Sequence, residues 1–413
     1  MREPGIFDVL IVGAGPAGIA AACAAAESGR RVGVVDDNPA AGGQIWRGGP
    51  ATKQAARWIE RFRRASVELL AETRVIDHPA SGVLYAESDT ASFELGYEKL
   101  ILATGARERF LPFPGWTLPN VMGAGGLQAL VKGGLPVEGK RIVVAGTGPL
   151  LLAVAAYLRK RGAEIPLIAE QAPWKRLARF GLALGSAKLA QAAKLKWELR
   201  DVPYLTECWP TSADGNGKIE GVVLQRGETT WREPCDYLAC GFGLVPNVEL
   251  PILLGCAVRN GFVAVNEWQQ TSVTGVYCAG EPTGVGGVDL ALTEGEIAGY
   301  AAAGRPEQAR RRFSARRRAL RFQNELERAF PLRDELKHIV SDETIVCRCE
   351  DVPLGCIREH HSWKSAKLQT RCGMGPCQGR ICGPAIEFLL GWTPDSIRPP
   401  IFPARVDALS ERE

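Results

Sequence analysis

The sequence predicts an α/β protein with two strand–turn–helix units in series and a small, mostly helical, cysteine-bearing segment near its C-terminus. Three observations predict it. The apolar strand Asp8-Val9-Leu10-Ile11-Val12 runs into the glycine turn Gly13-Ala14-Gly15-Pro16-Ala17-Gly18 and an alanine-rich helix. The pattern returns at Arg141-Ile142-Val143-Val144-Ala145-Gly146-Thr147-Gly148-Pro149. Six of the 12 cysteines crowd between Cys347 and Cys382. A chain of 413 residues exceeds one ordinary core, so two or three domains are expected.

In the first unit each residue type has a physical job. Gly13 permits the tight turn, Gly15 lets a pyrophosphate approach the backbone, and Gly18 lets helix and strand pack closely. The helix N-terminus offers free N–H groups and a positive dipole end. A second strand, Arg31 to Val35, ends in Asp36, 18 residues beyond Gly18, where a carboxylate can accept from a ribose hydroxyl. Candidate dinucleotide contacts are therefore Gly13, Gly15, Pro16, Ala17, Gly18, Asp36 and Asp37. The loop Asn38 to Gln44 follows, with Gly43 and Gln44 expected near the ribose and flavin edge of a bound FAD.

Bulk composition excludes some classes. The chain is 46% hydrophobic and 23% charged, as globular proteins are. No apolar run reaches membrane-spanning length, and no basic-plus-apolar leader precedes the first strand. A cytoplasmic protein is expected, associated with a membrane only through its complex or its electron acceptor. A net charge of +4 makes no case for nucleic acid.

Thr52 to Arg64 reads as an amphipathic helix, and Val67 to Glu98 as short β segments. The buried strand Lys99 to Ala103 ends at Thr104 and Gly105, where open α/β sheets bind ligands. In the second turn, Leu151 replaces the third glycine. It is expected to push the helix off the strand and crowd the pyrophosphate site, leaving a degraded binding fold, with Glu170 as its acidic strand end. Trp174 to about Leu199 reads as one helix with a basic, solvated face. A later strand ends at Gly280-Glu281, where a carboxylate can bond a ribityl chain. Pro306 to Phe330 is a basic helical segment, read as a solvated linker or docking helix.

Residues 1 to about 303 resemble the two-dinucleotide-domain flavoprotein reductases, the group that includes thioredoxin reductase. The matching landmarks are the N-terminal GxGxxG, Ala103-Thr104-Gly105, and Thr271 to Glu281, where the group usually carries Asp at position 281. The resemblance implies a Rossmann-like flavoprotein fold. The group's redox Cys-x-x-Cys is absent, since no two cysteines between Cys23 and Cys278 have that spacing, so disulfide reduction is not expected.

Cys347-Arg348-Cys349 and Cys372-Gly373-Met374-Gly375-Pro376-Cys377 form a CxC…CxxxxC set. Four thiolates suit zinc or a 2Fe–2S cluster equally in charge, but CxC is tight for one zinc. The stretch resembles bacterioferritin-associated-ferredoxin-type 2Fe–2S domains, with Cys347, Cys349, Cys372 and Cys377 as the matching metal ligands. Cys356 and Cys382 fall outside that pattern and are read as structural, with Cys382 near enough to serve as a spare.

The whole chain resembles the α-type subunits of heteromeric flavin-dependent amine and imino-acid dehydrogenases: opine oxidases, D-hydroxyproline dehydrogenase, dye-linked L-proline dehydrogenase and hydrogen cyanide synthase. The resemblance implies a role in electron transfer, with the substrate site on a partner β flavoprotein. Further parts would be an FMN at an interface with a partner and a small, ferredoxin-like γ subunit. The first turn would hold FAD, or NAD or ATP in other members, and a respiratory acceptor would take the electrons. No catalytic residue stands out in the sequence. The alternative is a self-contained NAD(P)H-dependent flavin/iron–sulfur reductase. The domains expected are 1–110 with 262–303 (FAD/dinucleotide binding), 111–261 (second, degenerate unit), 304–342 (basic helical linker), 343–395 (2Fe–2S domain) and 396–413 (tail, suited equally to an extended arm against a partner or to an ordered tail).

Overall fold

The computed structural model describes residues 6–49, 52–394 and 396–410. Two compact units share the chain: residues 1–107, 246–323 and 396–413 in the first, 108–245 and 324–395 in the second.

The first unit is built on a seven-stranded sheet. Phe7–Val12 lies parallel between Val32–Val35 and Ser92–Leu102, with Leu10 beside Gly33 and Leu100. Val67–Leu70 extends the parallel part on one side. Val276–Cys278 adds to Ser92–Leu102, again in parallel. A strand covered on both faces reads as a continuous apolar run, which is why Asp8 to Val12 shows no alternation. The Pro16–Ala26 helix packs on this sheet and is buried from Ala17 to Ala25. Its alanines are needed because the Gly287–Ala302 helix touches it backbone to backbone. A Cβ on Gly295 would stand 2.1 Å from the Ala17 carbonyl oxygen. Lys53–Arg64 is helical as expected, capped by Thr52, whose hydroxyl accepts from the Ala55 N–H at 3.1 Å.

The chain returns to the first unit at Pro246, before the expected position 262. Leu250, Leu254 and Cys256 belong to that unit's core, so the apolar surface they bury draws the return earlier. The tail also folds onto this unit. Ile401 is buried, its N–H donates to the Ile76 carbonyl at 2.9 Å, and Tyr85 donates to the Ala408 carbonyl at 3.0 Å. It is a packed element of its own chain, as the ordered-tail reading expects.

The second unit holds a five-stranded parallel sheet in the order Tyr204–Thr206, Ile168–Glu170, Ile142–Gly146, Tyr237–Gly241, Val121–Gly123. An antiparallel three-stranded sheet, Cys208–Asp214 to Thr229–Pro234, completes its αβ part. The cysteine-bearing segment packs in this same unit on two short helices, Leu354–Arg358 and Trp363–Thr370, and a third, Cys382–Leu390. The basic segment before it is two helices, Pro306–Arg310 and Phe313–Ala329.

Candidate functional site

The first glycine turn stands at the C-terminal end of Phe7–Val12. Gly13 has φ 103°, and a Cβ there would lie 2.3 Å from the Ala103 carbonyl oxygen. A Cβ on Gly18 would lie 1.8 Å from the Gly13 carbonyl oxygen. Gly15 is different, because a Cβ there meets only Gly43 Cα at 4.0 Å. Its bareness keeps the space before the helix N-terminus open, with Pro16 at the first helical position and Ala17 buried behind it.

Asp36 sits beside this turn. One carboxylate oxygen accepts from the Ala14 N–H at 2.5 Å, the other from the Asn38 backbone N–H at 2.8 Å and amide at 2.7 Å. The loop after it folds back, with Gly42 N–H donating to the Ala14 carbonyl at 2.8 Å and Gly43 against Gly15. Asp37 is exposed and lies 3.7 Å from Arg74; Gln44 is exposed. Thr104 and Gly105 close the next strand end, where Thr104 Oγ1 donates to the Asn247 carbonyl at 2.7 Å and the Asn247 amide returns a bond of 2.8 Å to the Thr104 carbonyl.

Gly280 and Glu281 reach the same turn. A Cβ on Gly280 would meet the Ala17 Cβ at 2.8 Å. Glu281 Oε1 accepts from the Gly287 N–H at 3.2 Å, while its Oε2 is buried with no hydrogen-bond partner. Burial pushes this carboxyl up to about 7, against the Gly287 N–H and with the help of Glu294. A buried orphan oxygen is costly unless something fills its need. The open approach at Gly15 and this orphan oxygen together fit a flavin nucleotide.

Sequence reasoning missed what holds that turn. Glu294, fully buried on the Gly287–Ala302 helix, accepts from Gly280 N–H at 3.1 Å and Thr283 Oγ1 at 2.8 Å. Arg316, from the segment read as a solvated linker, donates to it at 2.9 Å. Burial holds the Glu294 carboxyl above its ordinary value, even with that guanidinium beside it. The signal was an arginine run following a glutamate-bearing apolar helix, too common a pattern to single out Arg316.

The second turn differs from the first in how its acid is used. Leu151 does not push the helix away or crowd the site. It is fully buried in the second unit's core, in room left by Gly241, whose missing Cβ would lie 3.4 Å from Leu151 Cδ2. Glu170 uses both oxygens on protein groups, accepting from Thr147 Oγ1, Ala172 N–H, Gly148 N–H and Tyr204 OH at 2.7, 2.8, 2.7 and 3.2 Å. Gln171 holds the stretch after Phe330 against the turn, donating to the Pro331 carbonyl at 2.9 Å and accepting from the Arg333 N–H at 3.0 Å. The Phe330 ring stands 4.0 Å from where a Gly148 Cβ would be.

The cysteines converge, though not only the expected four. Cys347, Cys372 and Cys382 are buried with their sulfurs within 4.8 Å of one another. Cys349 and Cys377 share a thiol–thiol hydrogen bond. Cys382 therefore joins the group rather than lying outside it, while Cys356 is exposed. The missed signal was a second CxxxxC register, Cys377 to Cys382, overlapping the first. Bonds from the Cys372 and Cys382 thiols, then from Gly373 and Glu350 N–H groups, hold the Cys347 thiol down at about 2. The contact with Cys347 pushes Cys372 up to about 12, and contacts with Cys347 and Cys372 push Cys382 higher still. Trp363 is the floor of the cysteine loop, with Gly373 and Gly379 packed on its ring. Cys347, Cys349, Cys377 and Cys382 line a depression of about 260 Å³ whose walls include Phe110, Trp116 and Ile381. Buried soft thiol donors beside a glycine N–H suit an iron–sulfur centre.

Residues 7–310 match the model of the pyridine nucleotide-disulphide oxidoreductase family. The chain is 32% identical to the A component of opine oxidase from Rhizobium meliloti, over 98% of this chain and 99% of that protein. It is 31% identical to hydrogen cyanide synthase subunit HcnB of Pseudomonas aeruginosa, over 94% and 92%. In fold it is similar to L-proline dehydrogenase from P. horikoshii, with TM-score 0.72 and 18% identity over 98% of this chain and 80% of that one. Thioredoxin reductase from T. acidophilum covers 72% of this chain and 98% of its own length, at TM-score 0.58 and 23% identity.

Proposed function

Because this chain belongs to the pyridine nucleotide-disulphide oxidoreductases, with the A component of opine oxidase among its relatives, we propose that it is the electron-transfer α subunit of a multi-subunit flavin-dependent dehydrogenase. That complex oxidises the C–N bond of an amino or imino acid of opine, hydroxyproline or proline type. The observation that carries the reading is the joint presence, in one chain, of a first turn with an unpartnered Glu281 oxygen and a convergent thiol cluster, while the acid of the second turn, Glu170, is taken up by protein donors. A flavin supplies two-electron acceptance and single-electron release, and a 2Fe–2S cluster supplies single-electron transfer.

The chain's own residues divide the binding work. Gly13 and Gly18 shape the turn and its packing, Gly15 leaves the pyrophosphate of FAD its approach to the helix N-terminus, Asp36 faces the ribose, and Gly43, Thr104 and Glu281 border the rest of the nucleotide. Four of the five thiols at Cys347, Cys349, Cys372, Cys377 and Cys382 hold the cluster. Substrate oxidation is assigned to a partner β flavoprotein. An interfacial FMN and a small γ subunit complete the assembly, and electrons leave to a respiratory acceptor. The relatives are themselves named as parts of larger enzymes, which supports a partner. A self-contained NAD(P)H reductase needs a second nucleotide turn with an acid free to meet the ribose, which the four protein donors on Glu170 disfavour.

Iron and acid-labile sulfide analysis, with electron paramagnetic resonance of the dithionite-reduced chain, tests the cluster. Iron and sulfide in equal amounts with a reduced 2Fe–2S signal are expected. Stoichiometric zinc without iron contradicts the relay.

A further inference from the structure

The stretch from Trp174 to Arg200, expected as one helix with a solvated basic face, is two helices. Trp174–Ala183 and Ser186–Glu198 are joined by Leu184 and Gly185. Each keeps one face on the fold. Phe180 is buried edge-on against Phe330, ring centroids 5.2 Å apart. On the second helix the less exposed positions are Lys188, Ala192, Leu195 and Glu198, followed by buried Leu199, at spacings of four and three residues that mark one side. Leu195 and Leu199 join the second unit's core.

The opposite sides are apolar as well, and they face solvent. Trp174, Ala178 and Leu182 recur at intervals of four on the first helix; Leu189, Ala193 and Trp197 do so on the second. Trp174, Leu182, Leu189 and Trp197 are 58, 89, 51 and 69% exposed, and no residue of the second helix is fully buried. Exposed hydrophobic side chains scattered singly need no explanation, but two consecutive helical stripes do. Residues 174–200 carry seven Lys and Arg residues, all but Lys188 at exposed positions, against one acid, Glu198, which pairs with Lys160 at 2.9 Å. The segment's net +6 exceeds the +4 of the whole chain.

We propose that these two helices form a membrane-surface docking element that seats the second unit on an anionic bilayer. The Trp and Leu stripes enter the headgroup–acyl boundary, and Lys175, Arg179, Lys194 and Lys196 engage lipid phosphates. Charge favours lipid over a protein partner. The net +6 of the segment complements an anionic surface, and four of its seven cations are Lys, the one depleted from protein interfaces. Among the described residues no helix is long and apolar enough to cross a membrane, so the mode is attachment from one side. The inference rests on none of the cofactor assignments and stands or falls apart from them.

The test is co-sedimentation of the full chain, alone and with its co-purifying subunits, using phosphatidylcholine vesicles with and without phosphatidylglycerol. Binding only to the anionic vesicles, weakened by salt, is expected. The K175E/R179E/K194E/K196E variant should lose roughly a hundredfold in affinity, since each charge near such a surface matters severalfold. L182D/W197D should lose binding too. All six side chains are at exposed positions, and circular dichroism with flavin content verifies that the variants fold. No binding to anionic vesicles at low salt, or binding unchanged by charge reversal, overturns the proposal. So does hydrogen-exchange protection of both helices by a partner subunit without lipid, which assigns the surface to protein.

Discussion

Arg316 and Gly280 grip the same carboxylate: the Arg316 guanidinium lies 2.9 Å from Glu294 Oε1, and the Gly280 N–H lies 3.1 Å from Glu294 Oε2. A residue from the basic run thus reaches, through one buried acid, the turn that carries Glu281. Removing one partner of a buried pair leaves an uncompensated charge, at about 3–5 kcal/mol. R316A is expected to lower stability by about that much in urea unfolding and to shed flavin during purification. R316K should recover part of both. Unchanged flavin content in R316A would separate Glu294 from the nucleotide turn.

The glycines of the first turn predict two different failures. G18A forces a Cβ to 1.8 Å from a backbone carbonyl oxygen, so it should unfold or misfold the first unit. G15A has room for its Cβ in the protein, where Gly43 Cα is 4.0 Å away, and should melt near wild type. Its methyl group occupies the approach a pyrophosphate needs, so flavin affinity should fall at least ~10-fold. Thermal melts and flavin titration distinguish the two variants. Equal affinity in G15A would place the nucleotide elsewhere.

Glu281 gives a pH dependence with a definite sign. Its folded value is about 7, above the ordinary 4.5, so the folded state keeps its proton longer than the unfolded chain. The associated stability is complete below about pH 4.5 and is lost as pH rises through 7, by ~3 kcal/mol for a shift of this size. E281Q, neutral throughout, should lack this loss. Flavin-free wild type should therefore weaken relative to E281Q between those limits in denaturant titrations. Parallel pH profiles would contradict a buried, unpartnered carboxyl.

The thiols separate by position. C347S and C382S should purify with little iron, because both sulfurs are buried in the convergent group. C356S, at an exposed position, should keep the full complement. Comparing C372S with C382S identifies the spare thiol. Full iron in C382S would restore the Cys347, Cys349, Cys372 and Cys377 set read from spacing.

What the sequence made legible was local. Gly18 answers to the Gly13 carbonyl within one strand–turn–helix unit, so its spacing sufficed, and Gly13 was legible from the turn it permits, although the carbonyl that excludes a side chain there belongs to Ala103. Leu151 misled because its pocket is supplied by Gly241, 90 residues on. Glu170 was visible as an acidic strand end, but not that Thr147, Gly148, Ala172 and Tyr204 would consume both its oxygens. Cys382 was ambiguous because two CxxxxC registers overlap, and only packing on Trp363 brings the thiols together. Arg316 looked like its neighbours in the run, and burial of Glu294 alone distinguishes it.

The central claim is electron relay from a partner, and one anaerobic titration tests it most directly. The chain, alone and with its co-purifying subunits, is mixed with NADH, NADPH and then a proline- or opine-type amine while flavin and iron–sulfur absorbance are followed. Bleaching by the amine alone, and only with a second polypeptide present, is the predicted result. Bleaching of the isolated chain by NAD(P)H within the mixing time would contradict it and make this protein a reductase in its own right.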